Sequence, residues 1–97
     1  MVETKSAEPF VTLSEVVEEI QKKFATRDWL TSELKRKEEH FGMVTNEFVT
    51  KWQAGEIPEP VEPELLAEFQ EWEGMAKSLE RVESELKNFE DRLGTNN

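Results

Sequence analysis

Apolar residues recur every three or four positions through the second half of the chain. This spacing is typical of a helix whose apolar seam packs against another helix. It predicts a helix over residues 63–93, with Pro63 in the first turn, where its missing N–H costs no hydrogen bond. We expect the seam to serve in self-association. Its seven positions are Trp72, Met75, Leu79, Val82, Leu86, Phe89 and Leu93.

A first long helix is predicted over residues 13–41. Thr12 stands three residues before Glu15, which is the spacing of a capping box, and Gly42 follows as a left-handed C-terminal cap. The apolar stripe of this helix is looser than the seam, because Lys23, Arg27 and Lys37 interrupt it. The stripe consists of Leu13, Val16, Ile20, Leu30, Leu34 and Phe41.

Three large apolar residues of the same helix, Val17, Phe24 and Trp29, fall off that stripe. One interpretation is that the helix has the broad apolar face of an ordinary core helix. The other is that these residues form a second packing surface. The sequence leaves both interpretations open.

A short helix is predicted over residues 45–54, with Thr45 as its side-chain cap. Because a helix of this length is marginal on its own in water, Phe48 and Trp52 are expected to pack on the long helices. We expect the core at the turn to contain Phe41, Met43, Phe48, Trp52 and Trp72.

Residues 55–62 form an acidic, proline-rich linker. Alternating proline and glutamate favour extended, solvated backbone, so the linker is expected to be stiff. Residues 1–11 and 94–97 are polar and show no periodicity, and we predict two disordered tails there.

The predicted fold class is all-α, a single domain over residues 1–97 built as a long antiparallel, coiled-coil-like helical hairpin with a short helix at the turn. Two helices offer one interface, which must offset about 1 to 2 kcal/mol of backbone entropy per ordered residue. We therefore expect two hairpins to pair as a homodimer in a four-helix bundle. The sequence does not distinguish a parallel from an antiparallel dimer.

The chemistry available to this chain is narrow. It has no cysteine and one histidine, His40, so we expect no enzymatic activity and no cofactor. Carboxylates at helical spacing are the ligands of some metal-binding bundles, but the accompanying Glu-x-x-His steps are missing. We expect no metal, with the glutamates forming a solvated face instead. The spaced carboxylates include Glu68 with Glu71, and Glu80 with Glu83.

The net charge of −10, from 22 acidic and 12 basic side chains, disfavours direct binding to nucleic acid. A charged partner is therefore expected to be a basic protein. The sequence contains no apolar run of the roughly 20 residues that cross a bilayer, and its first residues lack the apolar segment of a signal peptide. These features predict a cytoplasmic protein that does not bind membranes.

Most of the negative charge lies in one stretch. Residues 56–73 contain seven glutamates and no Lys or Arg, with apolar residues among them. An anionic rim around apolar anchors suits the capture of a basic protein. Alternatively, the glutamates only keep a small bundle soluble. The candidate partner-binding residues are Glu56, Glu59, Glu62, Glu64, Glu68, Phe69 and Glu71.

Four short runs around the turn form a further pattern: His40-Phe41-Gly42-Met43, Glu47-Phe48, Trp52-Gln53-Ala54-Gly55-Glu56-Ile57 and Glu71-Trp72-Glu73. This pattern resembles that of small acidic all-helical proteins of archaea and bacteria that are often paired with toxins. The chain differs from it by the proline-rich insertion at 58–63 and by a longer first helix. The resemblance implies an antitoxin-like role with a toxin as the basic partner. The alternative function is that of a homo-oligomeric structural or scaffolding coiled coil.

Overall fold

A computed structural model of the protein describes residues 12–94, and within this range the chain forms three α-helices and no strand. Helix α1 spans Leu13–Phe41, α2 spans Thr45–Gln53 and α3 spans Pro63–Gly94. The all-α fold class is therefore confirmed. The second predicted tail begins at Gly94, but Gly94 is the last residue of α3. The rest of that tail, 95–97, and the tail predicted over 1–11 lie outside the described residues.

Both ends of α1 are closed as the sequence predicts. The backbone N–H of Glu15 donates to Oγ1 of Thr12 at 3.1 Å, and the Thr12 N–H donates to the Glu15 carboxylate at 2.9 Å. At the other end, Gly42 has a φ of 70° and its N–H donates to the carbonyl of Glu38. The contacts between Thr12 and Glu15 satisfy two of the backbone donors that the start of a helix leaves unpaired.

Two ion pairs show that α1 and α3 run antiparallel. Lys23 contacts Glu85 at 2.9 Å, and Lys37 contacts Glu71 at 3.0 Å. The lysines are 14 residues apart along α1, and their partners are 14 residues apart in the opposite order along α3. The lysines that interrupt the α1 stripe therefore hold the two helices in register, with their aliphatic stems packed along the interface.

The core lies mainly toward the turn. Leu30 and Leu34 of α1 are buried against α3, and Phe48 of α2 is 1% exposed. From the predicted seam, Trp72, Met75 and Val82 are buried, while Leu79, Leu86 and Phe89 are partly exposed. The buried seam residues are enclosed within the hairpin itself, so a surface between two copies has to use other side chains. The side chain of Leu93 lies outside the described residues.

The prediction that Thr45 caps α2 with its side chain is wrong. The N-cap residue is Val44, which makes no side-chain hydrogen bond, and Thr45 is the first residue of the helix. The Thr45 N–H donates instead to the Glu38 carboxylate at 2.8 Å, and its Oγ1 accepts from the indole of Trp72 at 3.1 Å. A buried indole N–H without a partner is costly, so the hydroxyl serves the indole while Glu38 caps the helix.

None of the described helices is long and apolar enough to span a bilayer.

Candidate partner-binding surface

A cluster of stacked aromatic rings supports the turn. The ring of Trp72 lies 3.9 Å from that of Phe48 at an angle of 5°, and 5.3 Å from that of Phe41 at 19°. Trp52 stacks in turn on Phe48 at 5.9 Å. These contacts join all three helices, as predicted for this core, and they give the adjoining linker a rigid base.

Phe69, one of the predicted partner-binding residues, belongs to this cluster. Its ring makes edge-to-face contacts of 5.3 to 5.5 Å with Phe41, Phe48 and Trp52. The side chain is partly exposed. Phe69 is thus part of the aromatic cluster, and only part of its side chain is accessible to a partner.

Four of the predicted glutamates form an open acidic surface, which we define as Glu56, Glu59, Glu62 and Glu64. All four are exposed, and their side chains make no ion pair within the part of the chain that the structure describes. Three belong to the linker, and Glu64 lies in the first turn of α3, where the helix dipole favours a carboxylate. Glu56 interacts electrostatically with Lys51, whereas Glu59, Glu62 and Glu64 have no such partner among the described residues, so these three carboxylates are available to attract a cation.

Apolar side chains border the acidic surface. Val61 is 93% exposed, between the glutamates at 59 and 62, whereas Ile57 is partly buried and packs against the core. Ile57 fixes the start of the linker to the hairpin, and Gly55, with a φ of 77°, turns the chain into it. The exposed valine lies between two exposed glutamates in the sequence and offers an apolar contact beside them.

The remaining two predicted glutamates serve a different purpose. Lys37 contacts Glu68 at 3.2 Å and Glu71 at 3.0 Å, and its side chain is only 11% exposed. Glu68 and Glu71 are thus part of the contact between α1 and α3. The sequence alone did not indicate this pairing, because Lys37 lies on the other long helix, 31 and 34 residues before these carboxylates.

Two lysines have raised pKa values. The hydrogen bond to Glu85 raises the pKa of Lys23 above its ordinary value, and this effect exceeds the opposing effect of burial. The hydrogen bond to Glu47, one helical turn earlier, raises the pKa of Lys51. Both shifts favour the charged ammonium, so neither lysine is suited to act as a neutral nucleophile near pH 7.

Within residues 12–94, no group of three or more His, Asp or Glu side chains is arranged to hold a metal ion. The two carboxylates at 68 and 71, which have the spacing of metal ligands, both point at the ammonium of Lys37.

The distal half of the hairpin, away from the turn, carries the second set of predicted surface residues. Val17 is 44% exposed, Phe24 is 42% exposed and Trp29 is 57% exposed. The hairpin therefore does not bury them, as it would for a broad core-facing helix. Trp29 follows Phe24 by five residues, which turns it by about 140° around the axis, so the three do not share one face.

Comparison with known protein families, with curated proteins and with solved structures finds no match for this chain.

Proposed function

We propose that the protein is a non-enzymatic protein-binding module whose acidic surface binds a basic surface of a partner protein. The observation that carries this proposal is the set of exposed glutamates at 59, 62 and 64, which make no ion pair within the described residues and lie near the exposed Val61 in the sequence. Long-range attraction between the carboxylates and a basic surface accelerates encounter. Burial of the valine then adds a favourable apolar contribution to the complex.

The backbone of the acidic surface is restrained before any partner arrives. Pro58, Pro60 and Pro63 fix φ along the linker, and Ile57 packs on the core just before them. A restrained segment loses less conformational entropy on binding than a flexible one. This supports the linker as a recognition element in its own right, beyond its role as a connection between α2 and α3.

The resemblance to antitoxin-like proteins supports a narrower form of the proposal, in which the partner is a toxin. Under this hypothesis the acidic surface covers basic residues that the toxin needs for its own activity. The wider proposal, a basic protein partner, does not depend on the resemblance.

The sharpest test reverses charge on the linker alone. Substituting Glu59→Lys and Glu62→Lys alters exposed side chains that make no ion pair within the described range. The matched control is Glu18→Lys with Glu39→Lys, two exposed glutamates of α1 that change the net charge equally. We expect the linker variant to bind the partner, once isolated with the tagged chain, at least about tenfold more weakly than the control. Equal affinities would contradict the proposal.

A second candidate function is that of a homo-oligomeric structural coiled coil. The observation in its favour is the exposure of Leu13, Val17 and Phe24, which a lone hairpin leaves in water. Two hairpins that pair in a four-helix bundle bury such residues. Light scattering at micromolar concentration tests this candidate, and a monomer mass near 11.3 kDa would contradict it.

A further inference from the structure

One face of the hairpin carries a groove between α1 and α3 that is only partly filled. The part next to α2 has a volume of about 730 Å³, and the part nearer the free ends has a volume of about 540 Å³. Glu83 lines both parts, so they adjoin. This distal groove is lined by charged side chains, among them Lys35, Glu80, Arg27 and Lys87, and by apolar ones: Leu34, Leu79, Ile20, Phe24, Leu86 and Phe89.

Helix α2 shows what fits on this face. Its Val49 borders the end of the groove that lies at the turn of the hairpin. Beyond α2, no described element lies over α1 and α3. The uncovered length is apolar along α1, because Leu13, Val17, Ile20 and Phe24 follow one another at steps of four, three and four. The groove therefore accepts further helices with an apolar face.

We infer that a second copy of this chain occupies the distal groove, with the two hairpins face to face and antiparallel. In this arrangement the free end of each hairpin reaches the α2 of the other copy. The inference rests on the self-association role proposed above and adds the surface, the orientation and the contacting residues.

The length of the groove supports this occupant. The groove is lined along α1 from Ile20 onward, and the exposed apolar residues Leu13 and Val17 extend this surface toward the start of the helix. From Leu13 to Leu34, beside α2, this surface runs about 30 Å along α1. A two-fold axis near Phe24 divides this length equally, so that each copy fills the groove of the other from end to end. Two helices side by side are about 20 Å wide, which gives about 600 Å² per copy, close to the lower limit for a stable protein interface.

The distribution of charge supports the antiparallel orientation. Residues 13–35 and 75–94 together carry ten acidic and eight basic side chains, net −2. Residues 36–74 carry ten acidic and three basic side chains, net −7. Antiparallel pairing places the acidic turn regions of the two copies about 50 Å apart. This is well beyond the Debye length of about 8 Å at physiological salt. Parallel pairing brings them together.

The axis also places opposite charges near each other. The register of α1 and α3 puts residue 84 opposite Phe24, and Glu83 and Lys87 lie on either side of that position. Two α3 helices crossing there antiparallel bring each Glu83 toward the Lys87 of the other copy. Glu83 makes no ion pair within the described residues, and Lys87 contacts Asp91 only at 4.0 Å.

Sedimentation equilibrium of the full chain tests the surface. We expect a mass of twice 11.3 kDa and, for Phe24→Glu, a dimer dissociation constant raised by about tenfold or more. The matched control, Trp29→Glu, changes a more exposed aromatic on another face of α1 and should leave the constant unchanged. Circular dichroism verifies that both variants keep their helices.

Charge exchange tests the contact at the axis. Glu83→Lys and Lys87→Glu should each weaken the dimer, and the double variant should restore it, because both copies then carry the exchanged pair. Additive weakening in the double variant would contradict the contact.

A label on the linker tests the orientation. The chain contains no cysteine, so Glu59→Cys accepts a single spin label per copy. The two labels should lie about 50 Å apart or more in the antiparallel dimer, against less than about 30 Å in a parallel one. A monomer at high concentration would overturn both this inference and the self-association role. A dimer that tolerates Phe24→Glu, or one with a short label distance, would overturn this inference alone.

Discussion

Trp72 of α3 donates its indole N–H to Oγ1 of Thr45 at the start of α2, at 3.1 Å, and both side chains are buried. The backbone N–H of the same threonine donates to the Glu38 carboxylate. One residue thus joins α2 to both long helices by polar contacts, beneath the stack of aromatic rings. This arrangement positions the linker and the acidic surface that follows α2.

Thr45→Val removes the acceptor of the buried indole while keeping the shape of the side chain. We expect a loss of about 1 to 3 kcal/mol in the free energy of unfolding, because the Trp72 N–H is left without a partner. Thr45→Ser is the control, since it keeps the hydroxyl. Urea denaturation measures both, and a loss for Thr45→Val no larger than that for Thr45→Ser would contradict the cost assigned to the unpaired indole N–H.

Phe48→Ala is expected to detach α2 from the hairpin. The ring is 1% exposed and stacks on Trp72, and removal of a fully buried phenylalanine costs about 3 to 5 kcal/mol. The comparison is Val44→Ala, at a side chain that is 57% exposed, where little change is expected. Chemical denaturation followed by tryptophan fluorescence separates the two. Similar midpoints for both variants would contradict the packing of α2.

Lys37→Met leaves the carboxylates of Glu68 and Glu71 without their shared cation. We expect destabilisation of about 1 kcal/mol, because the lysine is nearly buried but its partners are partly solvated. Lys35→Met, at an exposed lysine two residues earlier, is the matched substitution and should be close to neutral. A neutral Lys37→Met would mean that the apolar stem, and not the ion pair, is what α3 recognises.

The pKa of Lys23 predicts a pH dependence at the alkaline end. Its folded-state pKa is raised above the ordinary 10.5 by the hydrogen bond to Glu85, so the charged form stabilises the fold. This contribution is complete below about pH 10.5 and is lost as the pH rises through the folded-state pKa. The difference in unfolding free energy between the parent chain and Lys23→Met should therefore shrink above that pH. A difference that stays constant into strong alkali would contradict the shift.

Local chemistry explains what the sequence predicts well. The caps at Thr12 and Gly42 and the period of α3 depend on residues within one or two turns, and the structure has the caps as predicted. The role of Thr45 was not predictable in this way, because its partner Trp72 is 27 residues away along the chain. Recognising that partner requires knowing that α3 returns beside α2.

The same distinction between nearby and distant residues applies to the candidate binding surface. The excess of negative charge in a proline-rich linker is evident from the sequence, whereas the exposure of Val61 is known only from the structure. Which glutamates remain unpaired is not evident, because it depends on the helix that faces them. Glu68 and Glu71 face Lys37, whereas Glu59 and Glu62 face solvent. The structure thus narrows the predicted binding set to the linker and the first turn of α3.

The most direct test of binding through the acidic surface is the affinity for the isolated partner as a function of salt. It is measured for the parent chain and for the variant with Glu59→Lys and Glu62→Lys. We predict that the affinity of the parent chain falls steeply as salt rises, while the variant with two lysines binds weakly at every salt concentration. An affinity that is insensitive to salt and equal in the two proteins would contradict it.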